Sequence, residues 1–459
     1  MADAAPPDMD ARPEAPRYFR WLVLLSCSLA MFGNYYVFDA LYPVTPFLQE
    51  QLGFTDQQVG LLDTAYNVAA LLTLVGGGVL IDRFGTARSA LLFAVIGAAG
   101  TVLIAVLPAL VPAAPALAMI AGRFVLGVGS ELFIVAATTV VGRWFKGKEI
   151  SFALAIQLLI ARAGSMVADR SPGLARSLFT GWQPPLLLAA GLGLGWLLFA
   201  VVYAALEGRA ARRYAVKQAG ATDKLVLADL VSFGRAYWWV VGLCVAFYAT
   251  IFPFRTFANL YLIQVHGVSQ DAAGDLKSLL PTISMIGMPL FGLLADIVGR
   301  RALLMAAGSA LLVPPFLVMA YARLGVTIPE LPLPWIGPLL AGKPLDVVLS
   351  MAMLGLSFAL VPAVLWPAVT YLVPERRLGS AYALMTFCQQ VGWAAMSWGL
   401  GAANDALGAS AGNPAGWLPA MWMLAALAGA GFVFSFLLWR EERGPAAHGL
   451  EAVTPGHMD

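Results

Sequence analysis

Twelve apolar runs follow one another along this chain, at about 21–48, 58–81, 89–111, 117–141, 150–171, 182–206, 237–264, 276–297, 302–322, 345–372, 378–402 and 415–438. A hydrocarbon core of ~30 Å takes about 20 apolar residues in helical form to cross. Lipid offers no partner to an open backbone N–H or C=O, so such runs must be helices. The runs therefore predict an all-α integral membrane protein with twelve transmembrane helices. Composition agrees: 60% of the 459 residues are hydrophobic and 12% charged, which excludes an ordinary soluble domain. Cys27, Cys244 and Cys388 all lie inside apolar runs and read as packing residues, not as disulfides or metal ligands. The first 17 residues are polar and rich in Pro and Ala, without a cleavable signal pattern.

Lys and Arg set the expected orientation. Of the 28 basic residues, 20 fall at one side of the membrane, whereas Arg170, Arg176, Lys277, Arg323 and Lys343 fall at the other and Arg123, Arg162 and Arg255 lie within runs. Both termini are thus expected in the cytoplasm. The predicted organisation is a tail at 1–20, a six-helix bundle at 21–206, a basic linker at 207–236, a second bundle at 237–440 and a tail at 441–459. An interfacial helix is expected in the linker, at Lys224–Phe233. Short basic clusters between apolar runs exclude nucleic acid as a partner. The expected partners are the bilayer and a small substrate; no cofactor or metal is expected, and an accessory subunit has no signature here.

Charges inside the runs carry the functional argument, because an ionisable group at bilayer depth is costly unless paired or wetted. Glu131 lies 11 residues before Gly142, and Arg162 lies 13 residues after Glu149. At about 1.5 Å per residue, they sit roughly 16 and 20 Å from the same membrane face, on adjacent helices. A carboxylate and a guanidinium at matched depth suit a zwitterion, one taking an ammonium and the other a carboxylate. The plainer alternative is a salt bridge between neighbouring helices. Asp39 and Arg255, on the first helix of each half, also reach equal depth: they are expected either to pair as an outer gate or to face a polar neighbour in their own half or the substrate. Arg123 lies near the outer end of its helix, where coupling to protons and snorkelling to headgroups are both open. Asp63 and Asp169 are lesser candidates for a proton relay. Asn34, Tyr35, Tyr36, Tyr66, Asn67, Tyr248, Trp366, Gln389, Gln390 and Trp393 are candidates to line a cavity.

The chain also repeats. Gly78-Val-Leu-Ile-Asp82-Arg83-Phe-Gly85-Thr-Ala-Arg88 follows the second run, and Gly292-Leu-Leu-Ala-Asp296-Ile-Val-Gly299-Arg300-Arg301 follows the eighth. The two aspartates are 214 residues apart, just under half the chain. These turns resemble the Gly-x-x-x-Asp-Arg-x-Gly signature of the major facilitator superfamily, although Thr86 and Ala87 replace its usual basic pair. The resemblance implies two pseudo-symmetric six-helix bundles, with Gly78, Asp82, Arg83, Gly85, Arg88, Gly292, Asp296, Gly299 and Arg300 forming a cytoplasmic gate. Arg123, Gly127 and Gly129 resemble that superfamily's motif on helix 4, and the antiporter signature of helix 5 is missing.

Trp144-Phe-Lys-Gly-Lys-Glu149, Ala161-Arg162-Ala-Gly-Ser165, Phe252-Pro-Phe254, Leu365-Trp-Pro367 and Val373-Pro-Glu375 look like phrases of the superfamily's lysosomal dipeptide transporters. That resemblance implies alternating-access transport of dipeptides, with Glu131 and Arg162 holding the two termini. Tyr35, Tyr36, Tyr66, Trp366 and Gln389 are the expected further substrate contacts. No nucleophile, metal or phosphate motif points to an enzyme. Two other expectations stand beside this one: a proton-coupled carrier of organic anions or amino acids, using Arg162 and Arg255 for a carboxylate, and a ligand sensor or scaffold without transport. The Ala-, Gly-, Leu- and Arg-rich composition looks like that of a bacterial inner-membrane protein; a lysosomal membrane is expected if the source is eukaryotic.

Overall fold

Proline ends the first helix early. In the computed structural model, α1 spans Arg17–Asp39 and gives way to a 3-10 turn at Tyr42–Val44 and a short helix at Thr45–Leu52. Pro43 and Pro46 cannot donate a backbone N–H, so the expected single helix over 21–48 is broken into pieces. The structure describes residues 15–145, 149–214, 233–330, 332, 337–374, 377–445 and 447–452. The expected interfacial helix at Lys224–Phe233 falls outside them, Phe233 excepted.

The remaining spans are α2 (Asp56–Phe84), α3 (Thr86–Leu110), α4 (Pro115–Phe145), α5 (Ile150–Asp169) and α6 (Gln183–Arg213) in the first half. The second half holds α7 (Arg235–His266), α8 (Gln270–Val298), α9 in two pieces (Arg301–Ala310 and Val313–Tyr321), α10 (Leu345–Leu372), α11 (Leu378–Leu407) and α12 (Leu418–Glu441). The break in α9 lies just ahead of Pro314 and Pro315, whereas Pro362 and Pro367 stay inside the continuous helix α10. Among the described residues, ten spans are long and apolar enough to cross a membrane. The other two, α2 and α11, are 29 and 30 residues long and carry buried polar groups, Asp63 and Asn67 on one and Gln389 and Gln390 on the other.

Within the first half, α4 packs on α2 and α3, and α1 packs on α5 and α6; within the second, α7 packs on α11 and α12, and α10 packs on α8 and α9. The halves meet along two seams, α2 against α11 and α5 against α8. Advancing each helix by six positions turns one seam into the other, as two repeats of six helices require. Missing side chains let the seams close. A Cβ on Gly60 would lie 2.2 Å from the Ser397 carbonyl oxygen, and one on Gly274 would lie 2.3 Å from that of Asp169. Bare glycine backbone allows membrane helices to touch at this range.

Candidate functional site

Two buried features lie between the halves: a cavity and, toward the end poor in Lys and Arg, a cluster of charges. The cavity, about 290 Å³, is walled by α1, α2, α4 and α5 on one side and α7, α10 and α11 on the other. Glu131 enters it from α4 and Arg162 from α5. Helix α4 continues to Phe145 and α5 begins at Ile150, so the two lie 14 and 12 residues from that turn. Their depths match as the sequence suggests.

What the structure does not give them is each other. Among the described residues Glu131 and Arg162 form no ion pair, so the plainer alternative of a salt bridge between the two helices is not what the structure holds; the charges are held separately. The Tyr66 hydroxyl donates to Glu131 Oε1 at 2.8 Å and lies 2.8 Å from Ser130 Oγ, which donates to Asn34 Oδ1 at 2.6 Å. The carboxylate is therefore anchored at one oxygen. Arg162 sits between aromatic faces, 4.7 Å from the Phe358 ring centre and 5.6 Å from that of Tyr35, and its buried Nε has no hydrogen-bond partner. An arginine stacked on rings and short of an acceptor is ready for an incoming carboxylate.

Other candidates divide. Tyr35, Tyr66, Tyr248, Trp366, Gln389, Gln390, Trp393 and Asn34 line the cavity. The indole of Trp366 donates to Tyr248 Oη at 2.9 Å, and Trp393 stacks on Phe252 at 4.1 Å, so the wall from the second half is held rigidly. Tyr36 does not line it. It is buried against Ala40, Ala168 and Ala189, because one residue along a helix turns the side chain by about 100° and faces it away from its neighbour Tyr35. Asn67 instead donates to the backbone carbonyl of Asp63 on its own helix.

The charge cluster contains more members than sequence suggests. Arg255 pairs with Asp39 at 2.9 Å and with Asp169 at 3.3 Å, and Asp169 pairs with Lys277 at 2.9 Å. All four side chains are at most 2% exposed. Two acids come from the first half, on α1 and α5, and two bases from the second, on α7 and α8. Beside them Arg123 pairs with Asp63 at 3.3 Å and donates to the Phe38 carbonyl at 3.0 Å. Arg123 is fully buried, so it does not snorkel to headgroups. Asp63 also accepts from Tyr42 at 2.9 Å and, across the seam, from Thr256 and from Trp393 at 3.4 Å. Three acids and three bases balance, which is how so much charge is held out of water.

Lys277 is the residue that sequence reasoning misplaced. At the edge of its apolar run it reads as an outer-face lysine, but α8 starts at Gln270, ahead of the run, which buries Lys277 two turns inside. The signal was available: Ser269, whose hydroxyl accepts from the Ala272 N–H, is a helix N-cap in sequence as well as in structure.

The repeated turns lie at the Lys- and Arg-rich end. Gly85 and Gly299 both take left-handed φ, +78° and +67°, at equivalent places. In the second copy Asp296 pairs with Arg301 at 3.0 Å, while its neighbour Arg300 is exposed. Arg301, and not Arg300, is therefore the basic partner within that turn. Gly292 lines a chamber next to the cavity. In the first copy Gly78 and Asp82 lie within α2, their side-chain surroundings outside the described residues; Arg83 and Arg88 are exposed, with the Arg83 guanidinium over the Phe84 ring at 5.5 Å.

Comparison with known proteins agrees with this architecture. Residues 27–397 match the Major Facilitator Superfamily. The chain is 30% identical over 408 residues to the lysosomal dipeptide transporter MFSD1 of Danio rerio, covering 85% of this chain and 81% of that one. It is likewise 30% identical over 407 residues to the protein of the same name from Homo sapiens, covering 86% and 82%. The crystal structure of a bacterial homolog to the human lysosomal transporter Spinster superposes with a TM-score of 0.71 over 93% of this chain and 98% of that one, at 16% identity, a likeness of fold. With the match running through both six-helix halves, the chain belongs to the major facilitator superfamily, whose members are multi-pass membrane transporters and not enzymes.

Proposed function

We propose that this protein carries small peptides, dipeptides first, by alternating access, with Glu131 holding the ammonium end and Arg162 the carboxylate end. One observation carries the reading: an acid and a base on adjacent helices open on a single cavity, and neither is neutralised by the other. The dipeptide transporters among the relatives support the substrate class. The basic end faces the cytoplasm by the distribution of Lys and Arg. The charge cluster then closes the outer side, and the cavity belongs to a state closed there. By its Ala-, Gly-, Leu- and Arg-rich composition the protein is assigned, in this reading, to a bacterial inner membrane.

Carriage of organic anions through Arg162 and Arg255 together is less well supported, because Arg255 is already engaged by Asp39 and Asp169. Thermal unfolding of the purified protein separates the readings. A ligand that binds only the folded state raises the melting temperature as its concentration passes the dissociation constant. Dipeptides are expected to raise it in a dose-dependent way, and to do so more than free amino acids or carboxylates at equal concentration. A rise with mono- and dicarboxylates alone would replace the peptide reading by the anion reading.

A further inference from the structure

Arg162 stands at a junction. Besides the polar cavity, it lines a second chamber of about 380 Å³ between α5, α8 and α10, and Tyr248 and Trp366 are shared by both. The two spaces differ in chemistry. Asp39, Glu131 and Arg255 line the first together with Arg162. The second is lined by Met285, Met288, Leu158, Leu159 and Pro289, and among the described residues Arg162 is the one charged group on its wall. It runs from Arg162 toward the basic end, where it reaches Gly292.

We infer that this methionine-lined chamber receives the side chain of the C-terminal residue of a bound dipeptide, making Met285 and Met288 specificity-determining residues. The inference rests on the dipeptide reading. In an L-dipeptide the Cα that bears the carboxylate also bears the C-terminal side chain. Binding the carboxylate on Arg162 therefore leaves that side chain at the mouth of the chamber. The ammonium is drawn the other way, to Glu131, and takes the N-terminal residue into the polar cavity. The N-terminal side chain then meets a wall where Phe38, Phe252 and Trp393 stand among charged groups, whereas the C-terminal side chain meets thioethers and aliphatic groups. Methionine is unbranched and polarisable, so a wall with two of them moulds to aromatic or long aliphatic groups of different shape. A charged C-terminal side chain would find no acidic partner among the described residues that line this space.

Sequence isomers test this directly, because Ala-Phe and Phe-Ala have the same composition and the same charged ends. Binding of each to the purified full-length protein is measured by calorimetry, with Ala-Ala as reference. Ala-Phe is expected to bind about 10-fold more tightly than Phe-Ala, a difference of about 1.4 kcal/mol. In the double variant Met285→Ser, Met288→Ser the ratio is expected to fall within about twofold. Equal affinities in the wild-type protein, or a preference for Phe-Ala, would overturn the inference while leaving dipeptide binding in place. A ratio unchanged by the double substitution would also overturn it. If none of the three peptides binds, the dipeptide reading fails and this inference fails with it.

Discussion

Replacing Arg162 by alanine is expected to weaken dipeptide binding at least 100-fold, a loss of about 2.7 kcal/mol or more. Truncating one member of a desolvated, hydrogen-bonded charge pair costs about 2–5 kcal/mol, and here the substrate carboxylate would be the member left unpartnered. The same change should cost the empty protein little, because the guanidinium makes ring contacts and no ion pair among the described residues. Arg162→Lys should restore only part of the affinity, since an ammonium keeps the charge but not the planar fork. Calorimetric titration with one dipeptide checks all three proteins. A structural arginine would behave oppositely, with stability falling and affinity of the remaining folded protein unchanged.

The buried cluster gives the second large effect. Arg255→Met leaves Asp39 without its partner and Asp169 with Lys277 alone, and stranding a buried charge costs about 3–5 kcal/mol. A simple charge swap of Asp39 and Arg255 is not a clean rescue. An aspartate at 255 would face Asp169, whose carboxylate lies 3.3 Å from the present guanidinium. Neutralising both partners, Asp39→Asn with Arg255→Gln, removes the bridge and leaves the Asp169–Lys277 pair standing. We propose that the cluster is a lock that exists only while the end poor in Lys and Arg is closed. The double variant should then shift the resting population toward the state open at that end. Its readout is a single cysteine at Ser165, a buried residue on the cavity wall, in a background lacking Cys27, Cys244 and Cys388. Labelling by a membrane-impermeant thiol reagent applied from that side should rise several-fold. Unchanged labelling would mean that the pair stabilises the fold and takes no part in gating.

Much of this arrangement was legible in the residues, and the failures share a cause. Apolar runs mark the spans because lipid forces each to be a helix, and the repeated Asp82 and Asp296 turns divide the chain into two sixes. Depth along a helix follows from counting, so Glu131 and Arg162, and Asp39 and Arg255, could be matched before any coordinate was known. Rotation about a helix and distance between helices do not follow from counting. Tyr36 therefore groups with Tyr35 although the two face different ways, and counting alone leaves open whether Glu131 and Arg162 touch or, as the structure has them, stand apart on the cavity wall. Run boundaries hide charges in another way. A lysine lowers the local hydropathy that defines a run, so Lys277 reads as an outer-face residue when it is the buried partner of Asp169. Asp63 and Arg123 lie inside runs, but nothing along the chain announces that they meet.

Transport itself is the claim that most needs measuring. Purified protein reconstituted into liposomes should accumulate a labelled dipeptide from outside when unlabelled dipeptide is held inside, saturably, and Arg162→Ala should reduce that exchange to the level of empty liposomes. Saturable exchange lost on this single substitution is the predicted result. Dipeptide binding with no flux above empty liposomes would make the protein a ligand sensor built on a transporter fold, and flux untouched by Arg162→Ala would remove the proposed site from the path.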